Sequence, residues 1–549
     1  METTEQQNRY SQVNNISLYL RENASVVPDK PALLHPVRVT YKELDERVDW
    51  FSYYLDGKGI KPGTRTVIMI PAGPDMLYIV FALLRISAVP VLIDPGMGIK
   101  AMLNALDSVR AEGFIGIPKA HLLRFVRRSV FNDLKVKIVT GFPGSRRLKS
   151  LSRTQLNERK KFPVSTVGSE KPAAIFFTSG STGPAKGVVY TAGMLNHQVK
   201  ITKEHFGISS GETDLCTFPL LGLFAICHGN SSVLADMNMS HPAKLNPARV
   251  VRNILDFGCT QMFGSPMILS RLSAYCLKKD IMLGSLRHVI SAGAPVHINV
   301  LADFSRLIPE GTGIHTPYGA TEALPVTDIR STELINHSSD RKVEENGICI
   351  GYPVKGIDIK VIRITDEPVS EWGSNIQLPV NQVGEFAVKG PWVSTEYFNN
   401  PGANMLSKIS DPTDNGIWHR MGDLGRIDEE GRFWFYGRKS QRVITLAGTL
   451  FTIPCEAVFN RHPLVFRSAL IGLDVENRKW KQPVICIQMK PGYRQTKLVK
   501  EELLKLACSS LITREIADFC FFKEFPVDPR HNAKIFREKL TEIVSRQIR

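Results

Sequence analysis

The sequence predicts an α/β protein: a large N-terminal domain of layered α/β subdomains with a β-rich subdomain, then a small mobile α+β C-terminal domain. Its 549 residues exceed what one hydrophobic core supports. Up to about residue 430, short apolar runs alternate with longer amphipathic stretches, which is typical of parallel strands joined by crossover helices. Beyond residue 340, short strands separated by glycine become frequent, which indicates the β-rich part.

The first strands are recognised as short apolar runs that end at Gly, Pro or Ser. They cover residues 64–70, 89–95, 112–118, 136–141 and 173–179. A helix is expected at 75–87. The apolar stretch 76–93 contains Arg85 and Pro90 and is shorter than the roughly 20 residues of a membrane span. It therefore predicts a buried helix followed by a strand.

The later elements define the β-rich subdomain and a smaller unit. GICIGYPV, GIDIKVIRI, GEFAVKGP and GRFWFYGRK are short strand patterns. After Arg438 we expect strands near 468–473, 484–490 and 518–525 and a helix near 500–512. We therefore predict a large domain over 1–437 and a small domain over 438–549, within the usual domain size. The short junction at 438–440 suits a hinge.

Composition excludes several protein classes. An apolar fraction of 43% indicates a globular chain. Nine cysteines without a CxxC pair favour reduced intracellular thiols over disulfides or a zinc site. The first twelve residues are polar and lack the apolar centre of a signal peptide. We therefore expect a cytoplasmic protein.

The net charge of +16 is concentrated in one segment. Residues 119–161 contain thirteen Lys or Arg against two acids, Asp133 and Glu158. A solvated surface is the plain interpretation. The sharper one is peripheral contact with an anionic membrane or with acidic protein partners. Nucleic acid is not expected as a partner, because no base-stacking motif or helix-turn-helix pattern accompanies the charge.

The stretch PAAIFFTSGSTGPAKGVVY, residues 172–190, predicts a phosphate-binding loop. It does not match the GxxxxGK[ST] pattern, which occurs nowhere in the chain. Its glycines nevertheless allow backbone N–H groups to converge on an anion, its hydroxyls donate further bonds, and its lysine supplies positive charge. The residues concerned are Thr178, Ser179, Gly180, Ser181, Thr182, Gly183 and Lys186.

The motif TSGSTGPAKG closely resembles the signature loop of the AMP-forming adenylating superfamily. That superfamily includes acyl-CoA synthetases, luciferases and nonribosomal peptide adenylation domains. Further blocks follow in the family's order over nearly the whole chain: SAGAP, YGATE, GEFAVKGP, YFNNP, WHRMGDLGRIDEEGRFWFYGRKSQRV and VDPRHNAKIFREKL. The resemblance implies a two-domain fold that joins a carboxylate to ATP, with acyl-AMP and pyrophosphate as products.

The resemblance also implies roles for individual residues. Glu322 is similar to the family's Mg²⁺ ligand, and Thr321 to the residue that bonds the α-phosphate. Asp423 resembles the acceptor of the ribose hydroxyls, and Arg438 the arginine that also reaches the ribose. Lys534 is similar to the lysine that swings in from the small domain to neutralise charge. Further nucleotide contacts are implied for Gly293, Ala294, Pro295, Tyr318 and Gly319.

Two departures from the family pattern bear on the second half-reaction. Gly222 occupies the position of a common histidine in FPLLGLFAICHG, residues 218–229. The hinge block GRKSQRVITLAG has an extra residue, with Ser440 near the hinge position and Thr445 in place of a lysine. Since these positions help to form the thiol-accepting site, the resemblance makes a CoA-dependent step doubtful. Adenylation is unaffected.

The stretches AVPVLIDPGMG and HTPYGATEALPV resemble the β-lactone synthetases of bacterial head-to-head olefin biosynthesis. The resemblance implies adenylation of a long-chain 2-alkyl-3-hydroxy acid, whose own hydroxyl then closes a lactone and expels AMP. Such a step draws on the high effective molarity of an intramolecular nucleophile. The implied partners are ATP, Mg²⁺, a long-chain hydroxy fatty acid and other olefin-pathway enzymes.

Several alternatives stay open at this point. The chain could be a long-chain fatty acyl-CoA synthetase, a fatty acyl-AMP ligase, or an inert scaffold of the same fold. His228 could act as the base for the hydroxyl, although a packed histidine is the favoured interpretation. The apolar runs 219–226 and 261–269 could line an acyl tunnel or simply form core.

Overall fold

The computed structural model of the chain describes residues 14–140, 160–178, 185–337, 347–527 and 535–548. Three predicted features lie outside these ranges: the phosphate-loop residues from Ser179 to Gly183, Lys534 and the basic stretch 141–159. Thr178 lies within them, but only its backbone is described.

The first part of the chain alternates strands and helices as predicted. Its helices are α1 Ser17–Val26, α2 Tyr41–Gly57, α3 Pro74–Ile86, α4 Ile99–Val109, α5 Pro118–His121, α6 Leu123–Val126 and α7 Ala192–His205. Its strands are β1 Pro31–His35, β2 Val39–Thr40, β3 Arg65–Met69, β4 Val89–Ile93, β5 Gly113–Gly116, β6 Val136–Val139, β7 Pro172–Thr178 and β8 Lys186–Thr191. The five predicted strands and the predicted helix are all confirmed.

Six of these strands form one sheet, in the order β6-β5-β3-β4-β7-β8. All neighbouring strands in this sheet are parallel except β7 and β8, which are antiparallel and form a hairpin. Helix α3 is buried along nearly its whole length. Its Arg85 is fully buried because its guanidinium reaches two carboxylates of α2, Asp45 at 2.6 Å and Asp49 at 2.7 Å. This pairing explains how an apolar helix tolerates an arginine.

A second sheet follows in the order β13-β12-β11-β9-β10-β1-β2 and is parallel except for the β1–β2 pair. Its new strands are β9 Thr213–Cys216, β10 Ser231–Leu234, β11 Gln261–Phe263, β12 His288–Ile290 and β13 Ile314–His315. The accompanying helices are α8 Pro219–Cys227, α9 Pro247–Phe257, α10 Pro266–Lys279, α11 Ile298–Ser305 and α12 Ser331–His337. One face of the sheet packs an apolar core with α9, α10 and α11.

The β-rich part is an eight-stranded antiparallel sheet. Its strands are β14 Tyr318–Ala320, β15 Ala323–Asp328, β16 Ile348–Pro353, β17 Asp358–Ile362, β18 Gly384–Lys389, β19 Lys408–Asp411, β20 Gly416–Ile427 and β21 Phe433–Arg438. Helix α13, Pro401–Ser407, precedes β19. All four strand patterns predicted for this region are confirmed.

The C-terminal part is α+β, as predicted. It contains β22 Val443–Ile444, β23 Thr449–Leu450, β24 Val465–Asp474, β25 Lys481–Met489 and β26 Asp518–Phe522. Helices α14 Thr452–Asn460, α15 Lys497–Ser509 and α16 Arg537–Ile548 accompany them. Strands β24, β25 and β26 form one sheet with its own apolar clusters. A single 3-10 turn, Lys439–Gln441, connects this part to β21.

Two further findings bear on the composition argument. None of the nine cysteines forms a disulfide. Among the described residues, no helix is both long enough and apolar enough to cross a membrane.

Candidate active site

The predicted site residues whose surroundings the structure describes line one continuous cavity. It opens where the carboxyl ends of both parallel sheets meet the antiparallel sheet, which is where ligands bind in open α/β sheets. The C-terminal part also contributes to its wall, through Ile453, Glu456 and Arg537 among others. The cavity is therefore shared between the large and the small part of the chain.

Lys186 stands at the base of the predicted phosphate loop. Strands β7 and β8 form the hairpin that carries the loop, with Thr178 opposite Lys186. The Lys186 ammonium lies 4.9 Å from the centre of the Tyr397 ring. This cation–π contact holds the lysine at the cavity wall. The intervening residues 179–184 lie outside the described part.

Thr321 and Glu322 form the turn between β14 and β15. The Tyr190 hydroxyl donates to the Thr321 carbonyl at 2.6 Å, and the Tyr397 hydroxyl donates to Glu322 Oε1 at 2.5 Å. Gly319 is required just before the turn, because a Cβ there would lie 2.5 Å from the Ala323 carbonyl oxygen. The turn is thus fixed from both sides, with one carboxylate oxygen of Glu322 held by Tyr397.

Asp423 forms an ion pair with Arg438 and a hydrogen bond with Tyr318. Asp423 and Arg438 are directly paired residues of β20 and β21, and their side chains form an ion pair at 3.0 Å. The Tyr318 hydroxyl donates to Asp423 Oδ2 at 2.6 Å. Burial raises the pKa of Asp423 and the nearby guanidinium opposes the rise, while Asp423 raises the pKa of Arg438. Burial also raises the pKa of Tyr318.

The SAGAP block forms the loop after β12. Gly293 adopts a φ of +94°, a backbone conformation that favours glycine. The amide of Ser291 donates to the His315 carbonyl at 2.8 Å and fixes the start of the loop. Gly293, Ala294 and Pro295 all line the cavity.

The structure thus brings together, around one cavity, every predicted site residue whose surroundings it describes. Lys534 lies outside the described residues. The chain on either side of it is anchored, because Val527 and Ile535 form an antiparallel bridge and Ile535 lines the cavity.

Sequence reasoning missed a buried polar network behind Glu322. The Lys408 ammonium lies 5.0 Å from the Tyr397 ring centre and donates to His419 Nδ1 at 3.1 Å and to the Ser394 carbonyl at 2.5 Å. Burial lowers the pKa of Lys408 to about 7 and lowers that of His419 as well. Tyr397 belongs to the YFNNP block, so the motif contained the signal for it. His419 lies in the WHRMGDLG block, whereas Lys408 belongs to none of the quoted motifs.

A largely apolar arm of the cavity runs along α8 and β11. Residues of both predicted runs line it, including Leu220, Leu223 and Phe224 of α8. His228 follows α8, and its Nε2 donates to the Val199 carbonyl at 2.7 Å. Burial lowers the pKa of His228 to about 4, which makes it a weak base at neutral pH. These contacts fit the packed interpretation of His228.

Comparison with known proteins agrees with this geometry. The family model of the AMP-binding enzymes matches residues 20–398, more than half of the chain. The chain belongs to the AMP-binding enzyme family. It is therefore an adenylating enzyme of the AMP-forming ligase class, as predicted.

Relatives share both sequence and fold. The chain is 37% identical to the olefin β-lactone synthetase of Stenotrophomonas maltophilia, over 97% of this chain and 98% of that one. It is 36% identical to the olefin β-lactone synthetase of Xanthomonas campestris, with the same coverage. The ATP-bound structure of MatB from Rhodopseudomonas palustris superposes with a TM-score of 0.76 at 18% identity, covering 97% of this chain and all of that one. The predicted fold, with a large N-terminal and a smaller C-terminal domain, is confirmed.

Proposed function

We propose that this enzyme activates a long-chain 2-alkyl-3-hydroxy fatty acid as acyl-AMP and closes it to a β-lactone, releasing pyrophosphate and AMP. One observation carries the proposal: the chain is 37% identical, over nearly its whole length, to an olefin β-lactone synthetase. The cavity fits this chemistry, because a polar nucleotide end adjoins a largely apolar arm suited to an alkyl chain.

In the first half-reaction, the substrate carboxylate attacks the α-phosphorus of ATP and pyrophosphate leaves. We assign the residues from Thr178 to Gly183, with Lys186, to the leaving phosphates and Thr321 to the α-phosphate. Asp423 and Arg438 hold the ribose. Gly293, Ala294, Pro295, Tyr318 and Gly319 complete the nucleotide wall. The fixed geometry of the Thr321 turn and of the Asp423–Arg438 pair supports this assignment, since preorganised groups stabilise developing charge more than mobile ones do.

Glu322 is the proposed ligand of Mg²⁺. Its carboxylate fits a hard cation, because oxygen ligands are preferred and only Oε1 is bonded by the Tyr397 hydroxyl. When bound, Mg²⁺ supplies charge neutralisation to the phosphate oxygens. Tyr397 in turn keeps the carboxylate oriented.

We propose that the small domain, 438–549, moves about the junction at 438–440 and brings Lys534 to the reacting carboxylate. The single 3-10 turn Lys439–Gln441 supports this, because hinge motions are absorbed by a few residues at the end of an element. Lys534 then neutralises charge between the carboxylate and the α-phosphate.

In the second half-reaction, the substrate's 3-hydroxyl oxygen attacks the adenylate carbonyl. A C–O bond forms, the bond to AMP breaks with its electron pair on the phosphate, and the hydroxyl proton passes to a base. The nucleophile is part of the substrate, so a thiol site is not needed. Gly222 supports this: a Cβ at that position would lie 2.8 Å from Cys216 Sγ, so helix α8 packs directly on the sheet there.

We also propose that the enzyme contacts an anionic membrane through the basic segment 119–161. In its described part, the exposed apolar side chains of Leu122, Phe125 and Val126 are close in sequence to basic residues. They also neighbour Lys119 and Leu123, which line the cavity. Such a surface suits lipid headgroups and a substrate delivered from a bilayer.

A complex with the enzymes that make the hydroxy acid and consume the lactone is a further proposal. The proposal rests on the poor solubility of the long-chain substrate and product in water, because such molecules are best passed directly from one enzyme to the next. Sedimentation of the mixed purified enzymes tests it, and independent migration of every component would contradict it.

Product analysis tests the proposed function. The protein is incubated with ATP, Mg²⁺ and a long-chain 2-alkyl-3-hydroxy acid, with and without CoA, and the products are identified by mass. A lactone, AMP and pyrophosphate in equal amounts without CoA are expected. A thioester formed only with CoA would instead indicate an acyl-CoA synthetase, and no ATP consumption would indicate an inert scaffold.

A further inference from the structure

An acidic residue interrupts the cavity face of the second parallel sheet. Side chains alternate along β9, so Asp214 and Cys216 share one face while Leu215 packs into the core on the other. Asp214 lies in direct register with Ser232 of β10 and Gln261 of β11. A polar row therefore crosses three neighbouring strands beneath the apolar arm of the cavity.

This row has unmet hydrogen-bonding capacity. Asp214 is only 6% exposed, and its Oδ2 has no hydrogen-bond partner among the described residues, although Asp214 lines the cavity. The same holds for the side-chain oxygens of Gln261 and Gln198, which also line it. Buried polar groups are normally paired, and a buried carboxylate without a partner is costly. Acceptors facing a cavity in this way indicate a ligand that donates hydrogen bonds.

The other carboxylates on the described wall of the cavity already have partners. Glu322 accepts from Tyr397, Asp423 from Tyr318, and Asp94 from the amide of Gly96. Glu385 and Glu456 form ion pairs with Arg420 and Arg537, respectively. Asp423 Oδ1, which also lacks a hydrogen-bond partner among the described residues, is ion-paired with Arg438, and Glu322 is assigned to Mg²⁺. Within the described part of the chain, Asp214 has neither a cationic partner nor an assigned role, and its Oδ2 faces no hydrogen-bond donor.

Helix α7 contributes further polar side chains to the cavity wall, next to the adenylation turn. Gln198 of α7 donates to the Leu324 carbonyl at 3.2 Å, two residues beyond Glu322. One turn later on α7, Thr202 lies 3.4 Å from His228 Nε2, and both line the cavity. These polar side chains of α7 therefore line the same cavity as the adenylation turn and Asp214.

We infer that Asp214, supported by Gln261, is the acceptor for the hydroxyl group of the acid substrate and takes its proton during lactone closure. The inference rests on the proposed function. As the hydroxyl oxygen bonds to the adenylate carbonyl, its proton passes to Asp214 Oδ2 and AMP leaves. The protonated carboxyl afterwards returns the proton to solvent, so no other reactant is needed.

The ionisation of Asp214 is suited to this role. Burial raises its pKa to about 7, and a hydrogen bond from Gln261 opposes the rise. A carboxyl group with a pKa near the working pH is ionised in a large fraction of the molecules and is also basic enough to accept the hydroxyl proton. Its titratable neighbours are Cys216 on the same strand and Cys259 before β11, with the His288–Glu212 pair at the strand beginnings. His228, after α8, lines the same cavity. Burial keeps Cys216, Cys259 and His228 neutral at pH 7.

The variant Asp214→Asn tests the inference, because it keeps the shape and removes the proton acceptor. Lactone formation in a single turnover should fall at least a hundredfold, within the range of general-base catalysis. ATP–pyrophosphate exchange with the 3-deoxy acid should stay within about twofold of the parent, and acyl-AMP should accumulate from the hydroxy acid. Asp214→Glu should restore part of the closure rate. Asp256→Asn, an exposed change on α9, is the matched control.

The outcomes separate the two proposals. If the parent makes no lactone, the proposed function fails. If the parent makes lactone and Asp214→Asn closes it equally fast, or loses exchange with the 3-deoxy acid as well, Asp214 is not the acceptor. The pH profile of the parent gives a second readout that does not depend on folding of the variant. Closure should rise as pH increases through about 7 and then level off, and a flat profile would overturn the inference.

Discussion

Glu322 and Asp423 are each held by a tyrosine hydroxyl, Tyr397 at 2.5 Å and Tyr318 at 2.6 Å. Both contacts join residues that are distant in sequence, so the carboxylates are oriented before any ligand arrives. The YGATE and MGDLG motifs predicted the two acids and Tyr318, and the structure places Tyr318 on Asp423. The motifs could not predict that Tyr397 holds Glu322, because that contact depends on the packing of the β14–β15 turn against the chain before α13.

The first prediction concerns Glu322. The change Glu322→Gln should lower ATP–pyrophosphate exchange at least a hundredfold, because it removes the charge that is proposed to bind Mg²⁺ and stabilise the transition state. The Mg²⁺ concentration that gives half-maximal exchange should rise as well. Exposed Glu310→Gln is the control and should match the parent in both measurements. Unchanged exchange in Glu322→Gln would remove Glu322 from the metal site.

Asp214 shows the limit of sequence reasoning at this scale. The sequence shows that strand β9 contains one acidic residue. It does not show that this residue is buried beside Gln261, because both features depend on the pairing of β11 with β9. The same is true of Lys408 and His419, whose contact joins β19 to β20.

Among the elements, α3 was predicted well because its apolar residues form one continuous run that ends before a strand. Longer strands such as β4 and β7 were equally visible, since Gly, Pro or Ser bounds them. Two-residue strands such as β2, β13 and β22 were not predicted. Their identity depends on pairing with distant partners, and so few residues contain no periodic signal.

A second prediction concerns the ion pairs of α3. Replacing Arg85 with Leu leaves Asp45 and Asp49 buried beside an apolar side chain, although Arg21 still contacts both. The free energy of unfolding should fall by about 3–5 kcal/mol, the usual cost of breaking a buried pair. Urea unfolding followed by fluorescence and by circular dichroism measures it. Arg38→Leu, at an exposed position, is the control, and an equal effect of both changes would contradict the account.

A third prediction concerns α5, α6 and the two residues after them, which belong to the described part of the basic segment. Leu122, Phe125 and Val126 are 60%, 68% and 65% exposed and lie close to Lys119 and Leu123, which line the cavity. The basic residues among them are Lys119, Arg124, Arg127 and Arg128. Basic side chains near an anionic surface contribute about 1 kcal/mol each, and exposed apolar side chains can enter the headgroup region.

The double change Phe125→Ser with Val126→Ser should weaken binding to phosphatidylserine-containing vesicles at least tenfold, measured by co-sedimentation. Activity on a short, soluble substrate should be unchanged. Leu255→Ser on α9, which removes an exposed leucine elsewhere, is the control. Binding that is equally strong for the double variant, or equally strong to neutral phosphatidylcholine vesicles, would exclude this surface.

At the scale of the whole molecule, three sheets and a small α+β domain meet around one cavity. This arrangement places a nucleotide end and a largely apolar arm in continuous space, so an activated carboxyl and a long chain can share it. Alternation of strand and helix patterns predicted the layers, and the change of composition near residue 340 predicted the antiparallel sheet. The order of strands in each sheet was not predictable, because it is set by long-range pairing.

The central claim is that the carboxyl is first joined to AMP and then attacked by the substrate's own hydroxyl. Isotope transfer tests this most directly, with a 2-alkyl-3-hydroxy acid labelled with ¹⁸O at both carboxylate oxygens. One label should appear in AMP and one in the lactone carbonyl, since the ring oxygen comes from the unlabelled hydroxyl. A lactone retaining both labels with unlabelled AMP would contradict the account.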